Sequence, residues 1–434
     1  MKTTLSENVT GGSIHSFSPP TERIVAGSFY RRTVVNLLQQ MTEGCLHLEL
    51  PGGNQLTIGQ PGHRATARVR IVREEFFQRC VLFGDIGFGE GYVDGDWETE
   101  DITAVISWFI LNVEKSPVMS GSKGRKLVIN LLGLVNRIKH ALRPNSLTTS
   151  RRNIQEHYDL GNDFYGLFLD PSMTYSAAWF ESGEETLEEA QIAKYDRLCR
   201  KLRLSPTDRV LEIGSGWGGF SRHAASKYGC HVTTLTISQA QYDYATRLMQ
   251  QTGLTSRVEV RLLDYRLAEG KFDKIVSIEM LEAVGDGYLE TYFGKCQALL
   301  KPGGLLGVQM ITCPDPRYDS LRGGVDWIQK HIFPGSLLLS INRVNQAISR
   351  TGDMFLHDLF DLGLSYAETL KRWREGFNER ADQVRALGFD DRFLRKWNYY
   401  LSYCEAAFAR RNISVVQAVY TRANNPALMQ PQTS

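Results

Sequence analysis

Residues 209–220 read Arg-Val-Leu-Glu-Ile-Gly-Ser-Gly-Trp-Gly-Gly-Phe. An apolar, β-like run ends in Glu212 and Ile213, and a glycine turn follows at once. Gly214, Gly216 and Gly218 carry no Cβ. The chain can therefore turn sharply, and a ligand can lie against the backbone on either side of Ser215. The spacing is Gly-x-Gly-x-Gly-Gly, not the Gly-x-Gly-x-x-Gly of dinucleotide sites. A carboxylate immediately ahead of the glycines suits a ligand that carries an amine and suits a pyrophosphate poorly. S-adenosylmethionine is the expected ligand. It offers an amino-acid end, a ribose and an adenine. The next β-like run ends in Thr236-Ile237-Ser238-Gln239-Ala240-Gln241. An acid often takes the ribose at this place. None is present, so Thr236 and Gln241 are the candidates for the ribose hydroxyls, while Ser238 reads as a helix cap. Asp264 and Tyr265 follow the third run, where an acid can accept from the adenine amine and a ring can cover the base.

Those residues need a scaffold that brings successive strand ends together. Strands are expected at Arg209–Ile213, His231–Thr236, 258–263, Phe272–Ile278 and 305–311. Helices are expected between them at 186–204, 217–228, Gln239–Gln251 and 287–300. This alternation implies an α/β, doubly wound, Rossmann-like sheet of the class I methyltransferase type, covered on both faces. Helical insertions are expected at 344–350, 366–385 and 392–409, with a closing strand at 414–421. Ahead of it, residues 21–113 read as a smaller α+β domain. Short strands are expected at 45–50, 55–58 and 67–71, then a helical patch at 74–82 and a glycine-punctuated stretch of tight turns at 84–97. Phe88, Tyr92 and Trp97 in that stretch are expected to pack. There are no internal repeats.

The chain has 434 residues, room for two or three domains. No run of about 18 apolar residues suggests a membrane span. Residues 1–20 read as a disordered lead-in without the apolar core of a signal peptide. Seven cysteines lie scattered, without paired metal-ligand spacing, as reduced cytoplasmic thiols would. Net charge is +2, yet nine basic residues and no acid fall between Lys115 and Gln155. Residues 114–149 therefore read as a basic linker. Within it Lys126–Arg143 is amphipathic, with Leu127, Leu131, Leu134 and Ile138 at helical spacing. Such a segment suits an anionic membrane surface or the protein's own body. The methyltransferase domain is expected over 150–434. Nothing points to a nucleic-acid partner.

Several motifs, in one order, resemble the cyclopropane fatty acid synthase family. They are His157-Tyr-Asp159-Leu-Gly-Asn162-Asp-Phe-Tyr165, Met173-Thr-Tyr175-Ser176-Ala-Ala-Trp179, the Leu-Glu-Ile-Gly-Ser-Gly-Trp-Gly-Gly turn and Thr236-Ile-Ser-Gln-Ala-Gln241. Further on come Glu279-Met-Leu-Glu282-Ala-Val-Gly285, Ile332-Phe-Pro-Gly335 and Tyr399-Tyr-Leu-Ser-Tyr-Cys404-Glu-Ala-Ala-Phe408. Phe76-Phe-Gln-Arg79 and Gly89-Glu-Gly-Tyr-Val-Asp94 resemble that family's N-terminal lipid-associated domain. The likeness runs over about residues 70–422.

The resemblance implies methyl transfer from S-adenosylmethionine to a cis double bond of a phospholipid acyl chain. A carbocation results, a base removes a proton and a cyclopropane closes. It further implies Glu282, Tyr366 and Cys404 as catalytic residues. Tyr175, Ser176, Glu212, Gly214, Ser215, Gly216, Gly218, Thr236, Ile237, Gln241, Asp264 and Tyr265 become the cofactor contacts. Electron-rich faces for the cation are expected from Tyr158, Tyr175, Trp179 and Tyr366. Apolar walls are expected from 327–333 and 337–339. Bicarbonate is the base implied by the resemblance, at a site made here by Glu282, Gln309 and Tyr366. The chain departs from the pattern at that site: Ala177 stands for a cysteine, Gln309 for a histidine and Ala283 for a histidine. Three outcomes stay open. The first is cyclopropane formation. The second is methylation of the same alkene to a methyl-branched or methylene chain. The third is a lipid-binding protein without turnover. A small-molecule N-methyltransferase would need neither the N-terminal unit nor the basic helix. The expected setting is cytoplasmic, peripheral on the inner membrane, and a homodimer is one expected form.

Overall fold

The computed structural model describes residues 28–63, 65–113 and 160–429. The lead-in at 1–20, the linker with Lys126–Arg143, and Tyr158 lie outside the described residues.

The larger sheet has seven strands. These are β5 (Arg209–Ile213), β6 (His231–Thr236), β7 (Val258–Leu262), β8 (Phe272–Ile278), β9 (Leu300–Thr312), β10 (Met354–Asp361) and β11 (Ser414–Arg422), in the order β10-β11-β9-β8-β5-β6-β7. The chain winds outward from β5 through β6 to β7. It then returns to the other side of β5 with β8. The strand order reverses between β5 and β8, which opens a crevice at their carboxyl ends. Val210, Leu211, Ile275 and Val276 are fully buried in the middle of the sheet, as two covered faces require. Helices Leu187–Lys201, Gly219–Tyr228, Gln239–Gln251 and Leu289–Leu299 supply the cover.

Three features of this domain differ from the sequence expectation. The sheet is mixed: β11 runs antiparallel to both β9 and β10. β10 itself is an unexpected strand, because Met354-Phe-Leu-His-Asp-Leu-Phe-Asp leaves Phe355 and Leu359 exposed on an edge and lacks a clean apolar face. The expected 366–385 helix divides into Gly363–Glu379 and Ala381–Ala386.

The N-terminal unit has a four-stranded sheet, β2-β1-β3-β4, built from β1 (Cys45–Glu49), β2 (Gln55–Gly59), β3 (Thr66–Ile71) and β4 (Trp97–Glu98). Leu46, Leu48, Val69 and Ile71 turn inward from it. Helices Phe29–Gln39, Glu75–Asp94 and Ile102–Leu111 complete the unit. The glycine-rich stretch is helix, not a string of turns. Only Gly84 leaves helical geometry, at φ 61° and ψ −133°. The glycines there serve close packing. A Cβ on Gly89 would stand 2.5 Å from Trp327 Cδ1 and 2.8 Å from Tyr399 Cε1. Phe88, Tyr92 and Trp97 pack together as expected, with centroids 4.4 Å apart for Phe88–Trp97 and 5.0 Å for Tyr92–Trp97.

This unit docks on the long helix Asp391–Ala409 and the short helix Trp327–His331. Arg395 Nε donates to the Tyr92 carbonyl at 2.7 Å, and Glu90 accepts from Lys330 at 2.6 Å. One apolar core therefore runs from Trp97 and Trp108 through Trp397 to Tyr366 and Trp373. That core backs the wall of the site.

Candidate active site

One cavity of about 340 Å³ opens at the carboxyl ends of β5, β6 and β8. At its polar end lies the glycine turn. The backbone N–H groups of Gly214 and Ser215 both donate to the Leu235 carbonyl, at 3.0 and 2.8 Å, which ties the turn to β6. Gly214, at φ 96°, already sits so that a Cβ would lie 3.2 Å from Met280 Cγ. Only glycine keeps that floor open. Glu212 Oε2 accepts from the Ser221 hydroxyl and from Thr234 Oγ1, the latter at 2.6 Å. Burial lifts its carboxyl to about 7, against those hydroxyls and the charge of Lys194.

Thr236 Oγ1 donates to Gln241 Oε1 at 2.8 Å and accepts from the Ser238 N–H at 3.1 Å. Gln241 is thereby held beside the turn by its carbonyl oxygen. Ser238 caps its helix, as expected. Leu235, Ile237, Leu263 and Tyr265 line the next part of the cavity. Tyr265 is fixed edge-on to Tyr292 at 5.2 Å. Asp264 is less free than its position suggested. It caps a short turn, and Arg266 grips both carboxylate oxygens, Oδ1 at 2.8 Å and Oδ2 at 2.7 Å. Burial raises its pKa, but the hydrogen bonds of Arg266 outweigh this and hold it below the usual range.

The other end of the cavity is apolar. Ile311, Ile328, Phe333, Leu337, Leu370 and Phe408 line it. Trp327 and Leu339, also expected as walls, are core residues behind it. Trp179 packs edge-on to Phe360 at 5.6 Å and stays outside the lining. Tyr175 and Tyr366 do face the cavity. The Tyr175 hydroxyl meets that of Tyr400 at 2.9 Å, and its ring stacks on Trp373 at 5.0 Å. Cys404 is also on the wall. Burial pushes its thiol far up, so it is a neutral, compact wall group.

Between the two ends stand two carboxylates. Glu282 Oε1 accepts from the Ile311 N–H at 2.5 Å, while its Oε2 is buried without a partner. Burial, then the charge of Glu279, pushes its pKa up to about 8. The second carboxylate, Glu279, was quoted within a motif above but given no role. Its Oε1 accepts from the Ala177 N–H and from Gln309 Nε2, each at 2.8 Å, and Tyr366 lines the same cavity. Glu279 holds a left-handed backbone, φ 48°, that L-residues other than glycine seldom adopt.

Gln309 has a fixed orientation. Its Oε1 accepts from Gln417 Nε2 at 3.0 Å, and Gln417 Oε1 accepts from Arg197 Nη1 at 2.9 Å. A guanidinium only donates, so both amides are set and Gln309 must present N–H to Glu279. Ser176 does not meet the ligand space through its hydroxyl alone. It accepts from Lys194 Nζ at 2.7 Å. Lys194 is fully buried, and burial brings it down to about 7 against the charges of Glu279, Asp170 and Glu212.

A doubly wound seven-stranded sheet with this strand order, and a glycine turn in the crevice at its reversal, defines an S-adenosylmethionine-dependent methyltransferase of class I. Comparisons narrow the class. The family model for mycolic acid cyclopropane synthetase matches residues 145–418. The tuberculostearic acid methyltransferase UfaA1 of Mycobacterium tuberculosis is 36% identical over 404 residues, 91% of this chain and 92% of that protein. The cyclopropane-fatty-acyl-phospholipid synthase of Escherichia coli is 34% identical over 371 residues, 82% and 88% of the two chains. Among solved structures, the mycolic acid cyclopropane synthase CmaA1 with SAH and CTAB superposes with a TM-score of 0.59. It is 32% identical and covers 63% of this chain and 98% of that one. Coclaurine N-methyltransferase, 20% identical with a TM-score of 0.59, shares the fold. The chain belongs to the mycolic acid cyclopropane synthetase family. It is an S-adenosylmethionine-dependent methyltransferase of the cyclopropane-fatty-acyl-phospholipid synthase type, and it modifies lipid acyl chains. The reading as a lipid binder without turnover is set aside. No helix among the described residues is long and apolar enough to cross a membrane.

Proposed function

We propose that this chain adds one carbon to the double bond of an unsaturated phospholipid acyl chain and closes a cyclopropane. One observation supports this above all. The same cavity joins the glycine turn to a long apolar wall, with carboxylates and a tyrosine at the junction. On this reading Glu212, the Gly214–Gly218 turn with Ser215, and Tyr175 and Ser176 surround the amino-acid end of S-adenosylmethionine. Gln241 and Thr236 take the ribose. Ile237, Asp264 and Tyr265 enclose the adenine. The bound cofactor supplies an electrophilic methyl. The wall residues hold the alkene against it and exclude water. Tyr175 and Tyr366 offer ring faces to the cation, and the carboxylates offset its charge. An acyl chain leaving a bilayer costs about 0.8 kcal/mol per CH₂, which the apolar wall must offset.

A second outcome, a methyl-branched or methylene chain, differs only in which proton the base reaches. It is favoured by the relative matched over 91% of this chain, which is named a methyltransferase. Expression with labelled methionine and mass spectrometry of the fatty acids separates the outcomes. A gain of one CH₂ with the alkene lost supports the ring. The same gain with an alkene kept supports methylation. No gain refutes both. We further propose, from the sequence of Lys126–Arg143, that the enzyme reaches its lipid at an anionic membrane surface.

A further inference from the structure

We propose that the carboxylate of Glu279 is the built-in proton acceptor of this enzyme and occupies the place that bicarbonate was expected to fill. The inference rests on the lipid-alkylating reading above and deepens it.

The bicarbonate implied by the resemblance needs hydrogen-bond donors near position 177, position 309 and Tyr366. The donors at positions 177 and 309 are present, and both are engaged by one side chain. Ala177 N–H and Gln309 Nε2 meet Glu279 Oε1 at 2.8 Å each, with Tyr366 on the same cavity wall. A carboxylate and a bicarbonate present the same planar O–C–O edge, so the donors are already satisfied. A further anion would also stand beside Glu279 in a poorly solvated site, where like charges repel strongly. Bicarbonate therefore does not fit these residues.

The backbone gives an independent sign. Glu279 sits at φ 48° where β8 has just ended. A long side chain in left-handed geometry is costly, and such strain gathers at functional positions. Here it aims the carboxylate into the cavity, which Glu279 lines together with Glu282 and Tyr366. The orientation of Gln309, set by Gln417 and Arg197, matters for the same reason. With its amide reversed, a carbonyl oxygen would face the carboxylate.

The two carboxyls divide the work. Burial raises the pKa of Glu279, while two N–H donors and the nearby charge of Lys194 favour its anion. Glu282 has one N–H, and both burial and the charge of Glu279 favour its neutral form. Glu282 is therefore the more readily protonated of the two, and Glu279, with more donors on its carboxylate, is the better suited to stay ionised. In the reaction the alkene takes the methyl, a C–C bond replaces the C–S bond, and the chain carries a cation. Glu279 then accepts a proton from the added carbon. The C–H pair becomes the third ring bond, and the proton returns to water when the product leaves. Loss of the proton from a neighbouring chain carbon would leave that pair as an alkene instead.

The test compares the wild type with Glu279→Gln and Glu279→Gly. Glycine prefers the backbone found here, so the second variant keeps the fold, and S-adenosylhomocysteine titration by calorimetry checks both. On dioleoyl phosphatidylglycerol vesicles with S-adenosylmethionine, wild-type turnover should be the same in carbon-dioxide-free buffer and in millimolar bicarbonate. Glu279→Gln should lose at least about 100-fold. Glu279→Gly should recover part of its activity with formate or bicarbonate. A binding readout needs no turnover. Carbon-13-labelled bicarbonate, followed by NMR with S-adenosylhomocysteine present, should bind Glu279→Gly and not the wild type. Saturable binding by the wild type, bicarbonate-dependent wild-type turnover, or a fully active Glu279→Gln would overturn the inference. Absence of wild-type turnover in every buffer would instead refute the lipid reading, and the NMR result would still decide the role of Glu279.

Discussion

Replacing Glu282 by Gln should change how stability depends on pH. Oε1 of Glu282 has one donor and Oε2 has none, so the pKa is lifted from the ordinary 4.5 to about 8. A carboxyl raised in this way is held protonated by the native state after the unfolded chain has lost its proton. Its favourable share of stability is complete below about 4.5 and drains away as pH rises through about 8. The whole gap, at about 1.4 kcal/mol per unit, sets a ceiling of roughly 5 kcal/mol. The part lost between about pH 6 and about pH 9 is roughly 2–3 kcal/mol. Gln keeps the acceptor for the Ile311 N–H and cannot ionise. It will carry a constant offset for its buried amide, but not the pH-dependent loss. Urea unfolding of both proteins at the two pH values should thus show the variant gaining about 2–3 kcal/mol on the wild type as pH rises. Parallel stability profiles would refute the assignment of Glu282 as the neutral member of the pair.

Three other outcomes follow from the same structure. Gln417→Glu removes the donor that orients Gln309, so turnover should fall at least about tenfold while S-adenosylhomocysteine affinity holds; an unchanged kcat would count against the relay. Gly89→Ala forces a Cβ to within 2.5 Å of Trp327 and should cost about 1–3 kcal/mol in thermal or urea unfolding. Gly91→Ala, with its nearest neighbour at 3.4 Å, is the matched control and should be nearly neutral. Sedimentation with anionic vesicles should weaken with salt if Lys126–Arg143 adsorbs to the surface; binding equal at low and high salt would remove that role.

The parallel core of the fold was readable along the chain. β5, β6 and β8, and the helix Gln239–Gln251, fall where apolar runs and helix caps put them, because their burial is local and strongly periodic. β10 was not readable, since its apolar residues are split between an edge and solvent. The helical character of 84–94 was hidden for a different reason. Its glycines look like turn residues, and only the rings of Trp327 and Tyr399 explain why side chains are missing there.

The sequence by itself determined the cofactor turn and the core strands β5, β6 and β8, and its family resemblance pointed to Glu282, Tyr366 and Cys404. The turn and these strands depend on residue type and near neighbours. Only the tertiary structure decided that Asp264 is gripped by Arg266, that Trp179 faces Phe360, and that Gln309 answers to Gln417 and Arg197. It alone picked out Glu279 from Glu-Met-Leu-Glu. The spacing of two acids says nothing of which one meets an N–H from residue 177 and an amide from residue 309. Charge in a poorly solvated cavity is governed by the donors around it, and those donors arrive from the loop at residue 177, from β9 and β11, and from the helix Leu187–Lys201, far apart along the chain.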